Sequence, residues 1–453
     1  MVFSSLNFIF IFLPIFILCY YIAPYKLKNG VLFFGSLMFY TAGTVTHPEH
    51  LVLLLCAVLV DFLVGIGIER YERYKKIILG MGVLYHLFWL FCFKYAGFVF
   101  SLESIILPVG ISFYTFQGIS YIADVYKKRF PAEKSILNVG VYICMFPQLI
   151  AGPIVTYPEV RERLYKRKCS KEGLLEGIGM FVFGLGLKVL LANRLGGLWE
   201  DVQTIGFDSI STPLAWMSIF AFTFQLYFDF FGYSVMAIGL GKMLGFKLPV
   251  NFSHPYMSRS MTEFWRNWHI TLGRWFREYV YIPLGGNRKG KLITYRNLLI
   301  VWLLTGIWHG AGYNFILWGA VLFVLIALEK SFVGKFLERH PLVGHAYMLV
   351  CIPLTWAVFA INDISQIGVF FSRLFPFFGQ RVWSIFRYDY VKYADIYGVL
   401  LIVGLLFSTR LPYRLMKRIK SKVIIFIILT AIFAGSVYCM WMGLNDPFLY
   451  FRF

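Results

Sequence analysis

The chain has 453 residues, of which 59% are hydrophobic and 15% charged, with a mean hydropathy of +0.69 and a formal net charge of +20. Such a composition excludes a water-soluble enzyme of two or three domains and marks a polytopic membrane protein. It also excludes nucleic acid as the partner of the positive charge, because Lys and Arg fall in short loops between apolar segments, where they report orientation.

The first stretch, FSSLNFIFIFLPIFILCYYIAP, has no basic run ahead of it and no small-residue cleavage site, so it reads as a retained span and not a removable signal. A bilayer core about 30 Å thick needs about 20 apolar residues per helix. On that rule crossings fall near 5–24, 31–46, 51–68, 77–100, 105–125, 172–199, 213–241, 345–362, 394–410 and 423–444. Two more apolar stretches, 136–156 and 297–332, have basic residues at both ends and Gly or Pro within. The first reads as re-entrant, the second as a re-entrant piece or a tight pair of helices. No long polar segment intervenes, so residues 1–453 read as one membrane domain.

The loops at 69–76, 126–134, 161–172, 242–296 and 410–422 are rich in Lys and Arg and are therefore expected in the cytoplasm. Those near 47–50, 200–212 and 362–365 contain neither residue and face outward. Ten crossings put both termini on one side, and the basic loop before the last span makes that side the outside. Six of the seven cysteines lie in apolar segments, Cys169 lies in a basic loop, and no CxxC occurs, so they read as small hydrophobes and not as disulfides or metal ligands.

Residues 258–296 place Phe264, Trp268, Leu272, Trp275, Phe276 and Tyr279 at helical spacing opposite a basic face. This is the pattern of an amphipathic helix on the cytoplasmic surface or of a re-entrant segment, with His269 in its middle. His309 lies in VWLLTGIWHGAGYNFILWGAVLF, a run with no other ionisable side chain. A buried ionisable group in a membrane is costly and is a functional candidate on that ground. The nearby Gly306, Gly310 and Gly312 permit close approach of a helix backbone or a substrate. Imidazole is well suited to take a proton from a hydroxyl near neutral pH. No G-x-S-x-G, H-E-x-x-H or Walker sequence occurs, and no Cys or Asp cluster at metal spacing, so two histidines and a hydroxyl acceptor point to acyl transfer without a metal.

Five blocks resemble the membrane-bound O-acyltransferases, in particular the branch of alginate and peptidoglycan O-acetyltransferases of bacteria. They are LPVGISFYTFQGISYIADVYK (107–127), FPQLIAGPIVTYPEV (146–160), YFDFFGYSVMAIGLGKMLGFKLPVNFSHPY (227–256), FWRNWHITLGRWFREYVYIPLGG (264–286) and WHGAGYNFILWG (308–319). The resemblance implies an all-α fold, with about ten transmembrane helices and re-entrant or amphipathic segments around a central tunnel, in the cytoplasmic membrane. It implies His309 as general base or oxyanion stabiliser and His269 as the residue that positions the donor. Asp229, Asn267, Trp308 and Tyr313 are candidates for support, Tyr313 standing where this branch often has Trp. Gln117 and Gln148 are candidates for the tunnel lining, and Asn251, His254 and Arg259 for bracing the 258–296 stretch.

No bound cofactor is implied. The implied donor is acetyl-CoA, its phosphates held by Arg266, Arg274 and Arg277. The implied acceptor is an extracellular or cell-wall polysaccharide, reached with an extracytoplasmic SGNH-type partner. The alternatives are a D-alanyl transfer protein for teichoic acid and a non-catalytic acyl or glycan transporter, although no internal repeat supports the latter. The terminal tail, 445–453, ends in FLYFRF. It reads either as an aromatic belt at the outer interface or, by resemblance to an F-x-Y-F ending of these systems, as a segment whose Tyr450 carries the acyl group as an ester.

Overall fold

The computed structural model describes residues 1–102, 105–375, 377 and 386–443, and all regular structure among them is helical. Eight of these helices are long and apolar enough to cross a membrane: Glu49–Arg70, Lys75–Lys94, Lys171–Ile205, Thr212–Met243, Tyr313–Arg339, Pro341–Ala360, Asp389–Ser408 and Lys422–Trp441. The tally differs from the ten expected crossings in identifiable places. The helices at three expected spans are short: Phe8–Ile22, Lys28–Gly43 and Ile111–Tyr126, the last two of 16 residues. In the other direction, Tyr313–Arg339 is long enough to span because a π-helical stretch at Glu329–Val333 joins its two parts without a break. Residues 297–332 accordingly belong to two antiparallel helices and not to a re-entrant loop.

Contacts sort the chain into two compact units. One comprises residues 1–184, 233–250 and 274–279. Its centre is built from α1 (Glu49–Arg70), α2 (Lys75–Leu90) and α3 (Ile111–Tyr126). Asp61 of α1 and His86 of α2, both fully buried, meet at 2.8 Å. Gly118 of α3 closes over the pair, and a Cβ there would lie 2.4 Å from His86 Nε2 and 2.5 Å from Asp61 Oδ2. Ser112, Thr115, Gln117, Ser120 and Asp124 make α3 too polar for the lipid-facing surface, and all five are buried. The short helix Ile136–Cys144 is likewise buried from Asn138 onward. Residues 274–279 are tied into this unit by three contacts: Arg274 with Glu159, Trp275 Nε1–H to the Phe116 carbonyl at 2.9 Å, and the Tyr279 hydroxyl to Asp124 at 2.9 Å.

The other unit comprises residues 185–232, 251–273 and 280–453. It holds most of α4 (Thr212–Met243), the short helix α5 (Met261–Asn267) and the start of α6 (Ile270–Phe276). It also holds α7 (Lys291–His309), α8 (Tyr313–Leu328) and α9 (Pro341–Ala360). The periodic stretch at 258–296 is therefore not one continuous helix. Its apolar positions do face inward, with Phe264, Trp268, Leu272, Trp275 and Phe276 all buried. The backbone breaks between α5 and α6 at His269, whose φ of +43° is left-handed, a conformation few non-glycine residues adopt.

Candidate active site

The break at His269 is held by Asn251. Its carbonyl oxygen accepts the Ile270 N–H at 3.0 Å. Its side-chain Oδ1 lies 2.8 Å from the Thr271 hydroxyl, 3.3 Å from the Thr271 N–H and 3.1 Å from His269 Nδ1. A backbone N–H can only donate, so the atom facing it is an acceptor, and Nδ1 must donate to that same atom. The proton of the neutral ring is thereby fixed on Nδ1, and Nε2 carries the lone pair. Among the described residues Nε2 has no hydrogen-bond partner. His269 is 2% exposed, and burial lowers its pKa to about 3, so the ring is neutral over the whole physiological range.

His309 is the last residue of α7, and Gly310 after it is extended. α7 and α8 pack closely because their facing residues are glycines. A Cβ on Gly306 would sit 2.2 Å from the Phe315 carbonyl oxygen, and one on Gly319 would sit 2.5 Å from that of Trp302. The turn is pinned to α9 by Asn314, whose Nδ2–H donates to the Phe359 carbonyl at 2.9 Å. The half-buried His309 ring lies edge-on to Trp318 and Phe359, each with centroids 5.2 Å away.

Trp308 brings the two histidines into one site. Its ring is 6.0 Å from that of His269 and 4.9 Å from that of His309, and it is itself buried. Around this core Trp265 touches Trp302, Trp318 and Trp356, and Trp268 touches Trp356. Phe230 of α4 stands edge-on to His269 at 4.7 Å. The Nε1–H groups of Trp265 and Trp318 are buried and, among the described residues, without acceptors. Aromatic walls with a few convergent polar points are what a small-molecule site requires, and they limit access of water to a reactive ester. The sequence flagged the histidines through their isolation in apolar runs. The tryptophan cluster, Phe230 and Phe359 carried no such signal, because an aromatic residue in a span reads first as packing.

The remaining candidates are distributed as follows. Asp229 forms an ion pair with Lys188 at 2.8 Å, and Lys188 also reaches Asn193 Oδ1 at 3.2 Å. Lys188 sits in a π-helical bulge, Leu187–Ala192, and was readable as a lone ionisable residue in the apolar run GLGLKVLLA. Asn267 braces the α5 end, donating to the Glu263 carbonyl at 3.1 Å and the Ser258 hydroxyl at 3.3 Å. Tyr313 is 64% exposed at the start of α8. Arg274 is held by Glu159 through two contacts of 2.8 and 2.9 Å, Arg277 is exposed, and Arg266 lines a separate cavity. Gln117 is buried in the first unit with neither amide atom hydrogen-bonded among the described residues, and Gln148 donates to the Tyr142 carbonyl. Tyr450 lies outside the described residues. One group not foreseen is His47, Glu49 and His50 at the start of α1, whose donor atoms lie within 4.8 Å of one another.

Comparison with known proteins gives this geometry its context. A family model described as membrane-bound O-acyltransferase matches residues 80–336. The chain is 37% identical over 398 residues to a probable alginate O-acetylase of Pseudomonas putida, covering 83% of this chain and 81% of that one. It is 36% identical over 419 residues to a peptidoglycan O-acetyltransferase of Helicobacter pylori, covering 81% and 78%. A teichoic acid D-alanyltransferase of Bacillus subtilis is more distant, 26% identical over 241 residues, or 51% of this chain and 60% of the relative. The matched span contains both histidines, the tryptophans of α5, α7 and α8, and the glycines that close the hairpin. The chain is an acyltransferase and belongs to the membrane-bound O-acyltransferase family.

Proposed function

We propose that the protein takes an acetyl group from cytoplasmic acetyl-CoA and passes it across the bacterial cytoplasmic membrane for O-acetylation of a surface polysaccharide. The observation that carries this reading is the pair of imidazoles that both contact one buried tryptophan, Trp308, inside an aromatic-lined site. The acceptor class follows the relatives at 36–37% identity, whose names specify alginate and peptidoglycan. The D-alanyl alternative rests on 26% identity over 51–65% of the chain.

In this mechanism His309 removes the proton of an incoming hydroxyl as its oxygen attacks the thioester carbonyl. The C–O bond forms, the tetrahedral oxyanion collapses with cleavage of the C–S bond, and the thiolate recovers the proton from the imidazolium. A general base of this kind contributes about 10²–10⁴ in rate. The half-buried position of His309 suits a group that must exchange its proton. His269 has a different part, because a ring held neutral with its lone pair on Nε2 is a poor base but a fixed hydrogen-bond acceptor. It orients a donor N–H or O–H of the acyl carrier beside Trp308.

Tyr450 is the proposed first acceptor on the outer side, relaying the acetyl group to an SGNH-type partner that completes the transfer to the polymer. Both termini are then extracytoplasmic. The test is a deletion strain complemented with wild type, His309→Ala or Tyr450→Phe, with ester-linked acetyl measured on purified surface polymer. His309→Ala is expected to accumulate in the membrane but restore no acetylation, and Tyr450→Phe to restore little. Full restoration by His309→Ala refutes the mechanism, and full restoration by Tyr450→Phe returns the tail to a belt role.

A further inference from the structure

The first turn of α1 and the residues just before it carry a cluster of ligating side chains that the transfer chemistry does not use. The donor atoms of His47, Glu49 and His50 all lie within 4.8 Å of one another. His47 Nδ1 is 2.9 Å from Glu49 Oε1, and the rings of His47 and His50 face each other with centroids 5.1 Å apart and planes inclined by 23°. The backbone sets this arrangement. The His47 N–H donates to the Thr44 carbonyl at 2.9 Å and the His50 N–H to the His47 carbonyl at 3.1 Å, while Pro48 fixes φ between the ligands. His50 is the rigid member: it is 3% exposed, its ring stands edge-on to Phe93 at 5.8 Å, and a hydrogen bond joins the ring to the backbone of Ile106. The side chains of His47 and Glu49 are more open, 30% and 59% exposed.

We propose that His47, Glu49 and His50 bind a divalent transition-metal cation of the zinc class. Two imidazoles and one carboxylate suit zinc better than magnesium or calcium, which take oxygen ligands. Bonds of about 2.1 Å in tetrahedral geometry bring ligand atoms to about 3.4 Å from one another, so the cluster must close slightly, and the open side chains of His47 and Glu49 can turn to do so. The cation replaces the proton shared by His47 and Glu49, and three protein ligands leave one position for water or another ligand. The hydrogen bond from His50 to Ile106 is the kind of second contact that fixes the orientation of a metal-ligating imidazole. The amino end of α1 disfavours a cation, and the Glu49 carboxylate in its first turn offsets that effect. Ile106 precedes α3, and Phe93 lies near the end of the Lys75–Lys94 helix, so a cation held by His50 ties the start of α1 to both neighbours. The cluster belongs to the unit that contains α1, α2 and α3, whereas His269 and His309 belong to the other. The expected consequence is therefore stability and not transfer chemistry.

The test uses full-length protein without a histidine tag in phosphatidylcholine nanodiscs, stripped with EDTA and titrated by calorimetry with Zn²⁺, Mg²⁺ or Ca²⁺. Wild type is expected to bind one Zn²⁺ and neither of the others, and Co²⁺ in place of Zn²⁺ should give the intense visible absorption of a four- or five-coordinate site. Loss of a hydrogen-bond partner behind a ligand costs about 10–100-fold in affinity, so loss of a ligand itself should cost at least as much. His50→Ala and His47→Gln/Glu49→Gln are each expected to show that loss. His50 is buried and its variant can fail to fold, so the more open His47/Glu49 pair decides, its melting temperature without metal matching wild type. Saturating Zn²⁺ should raise the melting temperature of wild type and leave that of His47→Gln/Glu49→Gln unchanged. His340→Gln/His345→Gln, which removes two exposed histidines elsewhere, should bind Zn²⁺ as wild type does. Wild-type Zn²⁺ affinity in folded His47→Gln/Glu49→Gln overturns the proposal. Loss of binding in His340→Gln/His345→Gln also overturns it, by marking other surface histidines as the source. Failure of wild type to bind Zn²⁺, or equal binding of Ca²⁺, overturns it as well, and none of these results bears on the acyl-transfer reading.

Discussion

Asn251→Ala removes the acceptor that sets the state of His269 without altering either imidazole. Three donors lose their partner: the Thr271 hydroxyl, the Thr271 N–H and His269 Nδ1–H. The hydroxyl can rotate, but the other two cannot. A buried unsatisfied donor costs about 1–3 kcal/mol, so the gross penalty is about 2–6 kcal/mol before relaxation. The ring is then free to adopt the other tautomer or turn away from Trp308, and a loss of about 1.4–2.8 kcal/mol in transition-state stabilisation corresponds to a 10- to 100-fold lower kcat. Asn251→Asp makes a sharper prediction. A carboxylate accepts the same donors, but its charge stabilises the imidazolium and raises the His269 pKa from about 3. Transfer by this variant should then fall as pH drops from 8 to 5, over which range His269 stays neutral in the wild type. The assay is acetyl transfer from labelled acetyl-CoA by protein in liposomes, followed across that range. Wild-type rates in Asn251→Ala, together with an Asn251→Asp profile identical to wild type, would refute the assignment of Nε2 as a fixed acceptor.

Three further predictions test other parts of the structure. Lys188→Met leaves Asp229 charged in a buried site and should destabilise the protein by about 3–5 kcal/mol, whereas Lys188→Met/Asp229→Leu should recover most of that loss, as read from melting in detergent; equal losses in both would show that the pair is not coupled. Gly306→Val puts side-chain atoms against the Phe315 carbonyl backbone and should prevent accumulation of folded protein, while Gly398→Ala, whose Cβ meets nothing within 4 Å, should be neutral. The depressed pKa of His269 also has a stability consequence. The folded state holds the ring neutral while the unfolded state protonates below its ordinary pKa near ~6.5, so the stabilisation is complete above that value and is lost as pH falls towards 3. Wild-type melting temperature should therefore drop more steeply from pH 6.5 to 4 than that of His269→Gln.

Much of this organisation is legible in the residues, for physical reasons that can be named. Isolation in an apolar run made His309 conspicuous, and the glycines beside it allowed a close backbone approach, but the run fitted a re-entrant piece as well as the tight hairpin that Gly306 and Gly319 form. Apolar periodicity correctly gave the buried face of 258–296, because burial is governed by side-chain polarity at helical spacing. The same periodicity concealed the break at His269, since a left-handed residue leaves the spacing almost unchanged over a single turn. Hydropathy placed a crossing at 105–125 but did not show that α3 is shorter and enclosed, its Ser, Thr, Gln and Asp residues being tolerable because neighbouring helices bury them. The partners of charged residues were also hidden. Lys188 and Asp229 are 41 positions apart, as Arg274 and Glu159 are 115, and no local pattern links them.

The most direct measurement of the central claim is acetyl transfer by purified protein in sealed liposomes. Labelled acetyl-CoA is supplied on the face bearing the basic loops, and labelled ester is measured on a hydroxyl acceptor trapped on the other side. The account predicts that wild-type protein forms the ester across the membrane and that His309→Ala, equally inserted and with CoA bound at unchanged affinity, forms it at least about a hundredfold more slowly. Ester formation by His309→Ala at the wild-type rate would contradict the account.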